Sequence, residues 1–322
     1  MGELRLFMEN LSRKTGFSGE LRFDEPMASH TTFKVGGPAD CWVCPAPACF
    51  PEYAPALLAA AREAGTPVFV LGGGANLVVA DRGIRGIVLD TGSWTGWDFT
   101  GEAKGPGDST GSVTVRAGTP ADELINALAE RGRGGLEFLA GMPGTIGGMV
   151  WMNARCMERS VSDVLIETEI LDEQAERVIV PYNHEDFSYK KSPFQGRKVL
   201  ILGAKFRVFR REAEEIKKEA EILRIDRESR GHYRAPSAGS AFKNNRDFGK
   251  PAGKIIDELG LRGFSVGGAA VAPWHGNFII NTGNASAAGI RALVTAVTEK
   301  VRDRTGFTLE PEILFVGDWG GV

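Results

Sequence analysis

A glycine-rich run between two short apolar segments restricts this chain to folds with a tight backbone turn beside a sheet. Residues 66–71 read as one strand and a second lies around Val78; between them stand Gly72, Gly73, Gly74, Ala75, Asn76 and Leu77. Residues without a Cβ adopt left-handed dihedrals and leave their backbone N–H groups open to a ligand. The run predicts a pyrophosphate-binding turn, with a tight hairpin turn as the alternative from this run alone.

A second glycine cluster lies further along the chain. It leads into an apolar stretch that we predict to be helical, and its members are Gly141, Pro143, Gly144, Thr145, Gly147 and Gly148. A helix N-terminus attracts anions because its N–H groups and its dipole point at them. Two phosphate-type loops indicate one dinucleotide, with close packing of a helix on a sheet as the alternative. Neither run has the G-x-G-x-x-G spacing, which disfavours a doubly wound nucleotide fold.

The order of elements predicts an α+β fold with a mixed sheet. The chain has 322 residues, more than the ~250–300 at which single cores stop growing, so we expect more than one packed unit. We expect strands near residues 112–117, 164–171, 177–180 and 199–208, a helix over 120–131 and a surface loop over 91–111. A charged helix over 211–230, with Ile216, Leu223 and Ile225 as its apolar positions, is predicted to connect two units.

Charge and hydropathy disfavour several classes of partner. Lys and Arg total 38 against 41 Asp and Glu, a net charge of −3, and no long basic run could follow a nucleic-acid backbone. The N-terminal residues lack an apolar signal core, and no apolar run reaches the ~18 residues of a membrane-spanning helix. We therefore expect a cytoplasmic protein that binds neither nucleic acid nor membranes.

Three of the four cysteines, Cys41, Cys44 and Cys49, lie close together in the sequence. Thiolates bind zinc and iron–sulfur clusters, but zinc sites usually contain two closed pairs of ligands. The residues from Ala39 to Pro45 read instead as a short strand in which cysteine acts as a small apolar residue. We predict no metal site.

Further motifs occur along the chain together with the glycine runs. They are, in order, Thr31-Thr32-Phe33-Lys34-Val35-Gly36-Gly37, Met152-Asn153-Ala154, Tyr189-Lys190-Lys191-Ser192, Ser237-Ala238-Gly239-Ser240, His275-Gly276-Asn277-Phe278 and Leu309-Glu310-Pro311-Glu312. Over roughly residues 28–316 the chain thus resembles the UDP-N-acetylenolpyruvoylglucosamine reductases, a family with a vanillyl-alcohol-oxidase-like flavin fold. Many motifs in one order are far more specific than any single match. About 50 positions separate Lys190 from Ser240, so the chain resembles the shorter subclass, which lacks a substrate-closing loop.

The resemblance implies a division of the chain. Residues 1–209 would form an FAD-binding domain of two subdomains, at about 17–90 and 111–209. Residues 210–308 would form a small α+β substrate-binding domain, and residues 309–322 a C-terminal strand that returns to the flavin site. A monomer is favoured.

The resemblance also implies an activity. In that family NADPH gives hydride to FAD, and the reduced flavin then gives it to the enolpyruvyl double bond of a sugar nucleotide. We therefore expect non-covalent FAD, NADPH and a sugar-nucleotide substrate, in a reaction that forms UDP-N-acetylmuramate for peptidoglycan synthesis. The two glycine runs and Asn153 would bind the FAD.

Roles for individual residues follow from the same resemblance. Ser240 would donate a proton to C2 after hydride reaches C3. Glu312 would act as an acid or hold water, and Lys190 would stabilise the negative charge of an enol-like intermediate. Three residues would bind substrate: Tyr189, Lys243 and Asn244. The plain alternatives are a loop hydroxyl for Ser240, a surface carboxylate for Glu312 and solvated loop residues at positions 243 and 244.

Three positions depart from the family pattern. Lys190 stands where the family has arginine, Arg155 where it has glycine, and Ala75 where it has serine. Lysine keeps the positive charge but lacks the bidentate fork of a guanidinium. We therefore hypothesise that Arg155 supplies the guanidinium that position 190 lacks.

Two other functions stay open from the sequence. One is a different oxidoreductase of the same flavin fold, which would not be expected to share Ser240 and Glu312. The other is a flavin-binding regulator without turnover, suggested by Lys190 and Arg155.

Overall fold

The computed structural model describes residues 2–100 and 111–320. These residues contain seven α-helices: α1 Gly2–Thr15, α2 Phe50–Glu63, α3 Ala121–Glu130, α4 Ile146–Trp151, α5 Ala213–Ser229, α6 Ala252–Glu258 and α7 Ala287–Thr305. Their strands are β1 Gly19–Pro26, β2 Pro38–Pro45, β3 Val68–Leu71, β4 Leu77–Val79, β5 Ile84–Asp90, β6 Trp97–Thr100, β7 Gly111–Arg116, β8 Arg133–Gly134, β9 Arg155–Cys156, β10 Arg159–Ser160, β11 Leu165–Leu171, β12 Arg177–Pro181, β13 Leu200–Arg210, β14 Ser237–Ser240, β15 Ser265–Val266, β16 Ala269–Val271, β17 Phe278–Asn281 and β18 Leu314–Val316. None of these helices has the length and apolar character needed to cross a membrane.

Packing divides the chain into two compact units. The first unit comprises Met1–Arg22, Trp42–Gly73 and Val88–Ile225, and the second comprises Phe23–Cys41, Gly74–Ile87 and Asp226–Val322. One four-stranded sheet has the strand order β1-β2-β5-β3. The division within α5 falls inside the helix predicted to connect two units. The domains predicted at 1–209, 210–308 and 309–322 stay a prediction.

An antiparallel sheet forms the centre of the first unit, so the mixed sheet expected from its strands was wrong. Its strand order is β12-β11-β13-β7-β6, and β8 pairs with β13 beside this path. Helix α3 buries Leu124, Ile125 and Leu128 at helical spacing in the same core as Val113 and Phe206 of the sheet. Each such aliphatic side chain contributes about 1.5–3 kcal/mol by its burial, so this core fixes α3 and the loops that follow it.

The second unit contains a four-stranded sheet of order β14-β17-β16-β15, which shares a core with α7. Helix α7 begins where the Ser286 hydroxyl accepts the Gly289 N–H at 3.0 Å, and it ends at Gly306, whose φ of 78° is left-handed. Glycine tolerates that conformation, which explains why the helix stops there. Strand β18 pairs in parallel with β4, placing Leu314 opposite Leu77.

Two expectations about local structure were wrong, and the hairpin alternative for the first glycine run is excluded. The glycine run at 72–76 is not a hairpin turn, because β3 lies next to β5 while β4 pairs with β18. The loop expected over 91–111 contains strand β6, which pairs with β7 because Trp97 and Phe99 pack on the first core; residues 101–110 lie outside the described residues. Ile225 is 56% exposed, because α5 buries the face that carries Ile216 and Leu223 instead.

Candidate functional site

The two glycine runs lie against each other in the first unit. A Cβ placed on Gly73 would come within 2.7 Å of the Gly144 Cα, and one placed on Gly72 within 2.8 Å of Thr145 Oγ1. Side chains at positions 72 and 73 would therefore push the two loops apart. Glycine is required here because it permits the close approach of two backbone segments that are distant in the sequence.

Thr145 carries a polar group without a partner at this meeting point. The residue is 7% exposed, and its hydroxyl has no hydrogen-bond partner among the residues described. It precedes α4 as the N-cap residue, yet its side chain makes no capping hydrogen bond. Buried hydroxyls nearly always form hydrogen bonds. The Thr145 hydroxyl therefore marks a place where a ligand oxygen can accept a hydrogen bond from it.

Close packing accounts for only part of the second glycine run. The Gly147 N–H donates to the Ala117 carbonyl at 2.8 Å, and a Cβ on Gly147 would lie 2.8 Å from the Ala117 Cβ. Gly148, by contrast, is exposed, and a Cβ there would meet only Thr145 Oγ1, at 4.0 Å. Of the remaining members, Gly141 is buried and Pro143 is exposed. The packing alternative therefore explains Gly147 and leaves Gly148 open to a ligand.

The turn that carries Tyr189 and Lys190 is tied to the segment that follows α4. The Lys191 N–H donates to the Ser188 carbonyl at 3.0 Å, and Lys190 occupies the turn with a φ of 59°. The Asn153 side chain donates to the same Ser188 carbonyl at 3.0 Å. In the first unit the structure thus brings Asn153 next to the turn that carries Tyr189 and Lys190, although Asn153 and Ser188 are 35 positions apart in the sequence.

Arg155, one of the departures from the family pattern, contacts its own hairpin. Its Nε donates to the Met157 carbonyl at 2.9 Å, and its Nη2 pairs with Glu158 at 2.9 Å. The Glu158 side chain is 85% exposed, so this ion pair contributes at most ~1 kcal/mol. Exchanging Glu158 for another anion would therefore cost the Arg155 guanidinium little free energy.

In the second unit, the segment after Ser240 pairs with the segment that carries Glu312. The Glu312 N–H donates to the Ala241 carbonyl at 2.8 Å, directly after Ser240. The Asn76 side chain donates to the Glu312 carbonyl at 3.1 Å. Residues predicted for proton donation, for the acid role and for cofactor binding therefore share one cluster of backbone contacts.

The two residues predicted to bind substrate phosphate have different surroundings. The Lys243 Nζ lies 2.6 Å from a carboxylate oxygen of Glu310, so its charge is already paired. Asn244 faces a cavity that Ser240 also lines. Its Oδ1 accepts the Ala252 N–H at 2.9 Å, which fixes the side chain at the start of α6. Of the two, Asn244 has the geometry of a substrate contact.

The cavity beside Ser240 is basic. It has a volume of about 410 Å³ and lies within the second unit. Its charged lining comprises three cations and one carboxylate, namely Arg230, Lys254, Arg262 and Asp257, and Asp257 is hydrogen-bonded to Arg262. An excess of positive charge around a cavity of this size favours an anionic ligand.

His275 lines the same cavity as an uncharged donor. Burial lowers the pKa of His275 below its usual value, and the charges of Arg230 and Arg262 lower it further. Its Nδ1 accepts the Asn277 N–H at 3.1 Å, so the neutral ring carries its proton on Nε2. The ring stacks on Phe278 at a centroid distance of 3.9 Å, which fixes its orientation.

Sequence reasoning assigned no individual role to the cavity's basic residues or to His275. The His-Gly-Asn-Phe motif is a signal that could have drawn attention to His275. Arg230, Lys254 and Arg262 carry no such signal, because isolated basic residues are usually part of a solvated helix or loop surface.

The cysteines act as small apolar residues in the structure. Burial, with a smaller contribution from the charge of Asp40, raises the pKa of Cys41 to about 12, so its thiol stays protonated at neutral pH. The Cys49 thiol donates to the Ser18 carbonyl at 2.9 Å. Within residues 2–100 and 111–320, no three His, Cys, Asp or Glu side chains are grouped so as to hold a metal ion.

Two family models match separate parts of the sequence. One, described as an FAD binding domain, matches residues 51–180. The other, described as the C-terminal domain of UDP-N-acetylenolpyruvoylglucosamine reductase, matches residues 231–316. The first contains both glycine runs, and the second contains Ser240, Asn244 and Glu312.

Relatives match almost the whole chain. The UDP-N-acetylenolpyruvoylglucosamine reductase of Treponema denticola is 40% identical over 316 residues, covering 94% of this chain and 95% of the relative. That of Borreliella burgdorferi is 35% identical, covering 90% and 93%. The crystal structure of the Thermus caldophilus reductase matches with a TM-score of 0.72 and 30% identity, covering 93% of this chain and 99% of that one. The mixed helix-and-strand fold with an FAD-binding domain is confirmed, and the chain belongs to the UDP-N-acetylenolpyruvoylglucosamine reductase family.

Proposed function

We propose that this chain uses NADPH to reduce the enolpyruvyl group of UDP-N-acetylglucosamine enolpyruvate, forming UDP-N-acetylmuramate for peptidoglycan synthesis. The observation that carries the proposal is the 40% identity over 94% of the chain to a relative named as a reductase of that enolpyruvyl compound. The match covers the FAD-binding part and the C-terminal part together. It therefore supports the complete reaction more strongly than cofactor binding alone.

The first unit has groups that suit the pyrophosphate of FAD. Gly73 is exposed and Gly72 and Gly144 are partly exposed, so their backbone is accessible to a ligand, and the unpaired Thr145 hydroxyl would donate to a phosphate oxygen. Asn153 would hold the flavin from the segment after α4, and the glycine run would continue the contact through residues 74–77. FAD bound there would supply the hydride chemistry that links oxidation of NADPH to reduction of the substrate.

The chain's own residues would manage the proton and the negative charge. The Ser240 hydroxyl would donate its proton to C2 when hydride has reached C3. Lys190 would offset the charge that develops on the substrate carboxylate, and Glu312 would act as an acid or order water for proton return. Fixed groups of this kind lower the barrier because they need no reorganisation during the reaction.

The substrate's diphosphate suits the basic cavity of the second unit. We propose that Asn244 and the side chains of Arg230, Lys254 and Arg262 bind it, with the His275 Nε2–H as a further donor. Tyr189 would also contact the substrate. For Lys243 to bind a phosphate it would have to leave Glu310, whose side chain is 68% exposed.

We further propose the organisation and setting that the sequence suggested. The FAD-binding domain would span residues 1–209, the substrate-binding domain 210–308 and the returning strand 309–322. The parallel pairing of β18 with β4, directly after the first glycine run, supports the last of these. The protein would act as a cytoplasmic monomer without nucleic-acid or membrane partners.

The function is tested by two anaerobic additions to the flavin-loaded protein. NADPH should bleach the flavin absorbance, and the enolpyruvyl sugar nucleotide should then restore it, because the substrate takes the hydride from the reduced flavin. Bleaching without recovery would contradict the proposal and favour another flavin oxidoreductase. The absence of bleaching would favour a regulator without turnover.

Non-covalent attachment of the flavin is a separate prediction. The run from Gly72 to Leu77 contains no His or Cys that could tether the isoalloxazine ring. Acid denaturation of the yellow protein should therefore release all of the flavin into the supernatant, where its absorbance is measured. A coloured protein pellet would contradict this.

Two of the three departures from the family pattern, Lys190 and Arg155, are predicted to share one task. If Arg155 assists Lys190 at the substrate carboxylate, Arg155→Gly should slow substrate reduction, and Lys190→Arg in the same chain should recover much of the loss. Residues acting on one ligand show coupling of roughly 0.5–3 kcal/mol, whereas independent sites add within about 0.5 kcal/mol. A double-mutant cycle on the second half-reaction measures this, and additivity would leave Arg155 as a partner of Glu158 only.

A further inference from the structure

Asn277 satisfies both backbone groups of Phe242 with one side chain. Its Oδ1 accepts the Phe242 N–H at 3.0 Å, and its Nδ2 donates to the Phe242 carbonyl at 2.9 Å. The backbone carbonyl of Asn277 also accepts the Ala241 N–H at 2.8 Å. Asn277 is 4% exposed, although asparagine is seldom buried. One residue thus holds the backbone of both residues that follow Ser240.

The same short segment is held from its other side by the C-terminal segment. The Ala241 carbonyl accepts the Glu312 N–H at 2.8 Å, the Lys243 N–H donates to the Glu310 carbonyl at 2.9 Å, and Phe242 forms a bridge with Pro311. Residues 241–243 therefore lie between Asn277 and the segment that carries Glu312. A displacement of the Phe242 peptide would change the positions of Ser240 and Glu312 together.

The strand ladder alone does not fix Ser240. The register of β14 against β17 shifts between Ser237 and Ser240, and Gly239 between them has a left-handed φ of 71°. Such an irregularity removes regular ladder hydrogen bonds and bends the strand. The Asn277 side chain supplies one donor and one acceptor to Phe242, two residues after β14 ends at Ser240.

Asn277 is itself rigidly placed. Its N–H donates to His275 Nδ1 at 3.1 Å, and a Cβ on Gly253 of α6 would lie 3.1 Å from the Asn277 Cβ, so α6 packs directly against it. It lines the basic cavity together with Ser240. Because hydrogen bonds are directional, a rigidly placed Asn277 amide also fixes the position of the Phe242 N–H and carbonyl groups that it binds.

We infer that Asn277 is a positioning residue for the proton-donation step, holding the Phe242 peptide so that the Ser240 hydroxyl and the Glu312 segment keep their places. The inference rests on the proposed function. Asparagine suits this role because one planar group carries both a donor and an acceptor, whereas an aspartate carboxylate cannot donate and alanine can do neither.

The test measures both half-reactions in Asn277→Asp and Asn277→Ala by rapid mixing of the flavin-loaded protein. Reduction of the flavin by NADPH should keep its rate, while reoxidation by the enolpyruvyl sugar nucleotide should slow by roughly 10²-fold, the effect of a misplacement of about 1 Å. The solvent deuterium isotope effect on reoxidation should also rise, because transfer of the Ser240 proton then limits the rate. A purely structural role would not raise it.

Asn281, at the other end of β17, provides the matched control. It is also buried, and its side chain donates to the Phe33 carbonyl at 3.0 Å and accepts the Gly283 N–H at 2.8 Å. Asn281→Asp should lower thermal stability as Asn277→Asp does, but should leave the ratio of the two half-reactions unchanged.

Three results would overturn the inference: equal slowing of both half-reactions in the Asn277 variants, the same selective slowing in Asn281→Asp, or loss of folded flavoprotein in both Asn277 variants. If the unsubstituted protein fails to reduce the sugar nucleotide, the proposed function fails instead. The two failures are therefore distinguishable.

Discussion

Replacing Ser240 with alanine is expected to leave reduction of the flavin by NADPH nearly intact and to slow reduction of the substrate by about 10²–10⁴-fold. The hydroxyl is needed only when C2 accepts a proton, which belongs to the second half-reaction. Ser240 lines the basic cavity, and its backbone leads directly into the contacts with the Glu312 segment. Stopped-flow measurement of flavin absorbance resolves the two steps.

Ser237 is the control for this substitution. It lies on the same strand β14, and its hydroxyl accepts the Gly239 N–H at 3.4 Å. Ser237→Ala should leave both half-reactions close to those of the unsubstituted protein, because within residues 2–100 and 111–320 its hydroxyl is bonded to the Gly239 backbone N–H and not to a group of the proposed reaction. If Ser240→Ala slows both half-reactions equally, Ser240 has a structural role instead.

Replacing Arg211 with methionine is expected to destabilise the first unit by about 3 kcal/mol. The Arg211 Nη1 lies 3.0 Å from Glu137 Oε1 and 2.8 Å from Glu219 Oε2, and Glu137 is only 1% exposed. Removing one partner leaves a buried charge without compensation, which costs roughly 3–5 kcal/mol, and we expect the lower end because Arg211 itself is partly exposed. Unfolding in urea measures the loss.

Two further variants test this explanation. Arg224→Met breaks the pair with Asp122, which has an N–O distance of 2.7 Å but a 41% exposed carboxylate, so it should cost no more than about 1 kcal/mol. Adding Glu137→Gln to Arg211→Met should recover much of the loss, since the amide oxygen still accepts the Gly135 N–H. A similar loss in Arg211→Met and Arg224→Met would contradict the buried-charge explanation.

Regular elements were predictable where the apolar pattern was strong. The strands β7, β11 and β13 and the helix α3 lie within two residues of their expected bounds, because alternation and helical spacing report directly on which face is buried. Strand β6 was missed, because its Trp97 and Phe99 lie in a Gly- and Ser-rich stretch whose composition indicates a loop.

The sequence was sufficient to predict which motifs form the candidate site, but not which of their residues contact each other. The sequence singled out both glycine runs, Ser240 and Glu312, and the structure joins the two runs at Gly73 and Gly144. It gave no reason to separate Gly147, which packs on Ala117, from Gly148, which stays exposed. Nor did it indicate that Lys243 is paired with Glu310, 67 positions away.

By itself the sequence determined the turns, the amphipathic helices and the order of the motifs, because these depend on each residue's own backbone preferences and on periodic burial. Only the tertiary structure decided which polar groups meet. Asn277 binds Phe242, Arg211 binds Glu137, and the Thr145 hydroxyl is left without a partner among the described residues. Such pairings join residues far apart in the chain, and they form only when packed cores bring donors within about 3 Å of acceptors, a distance that no local pattern encodes.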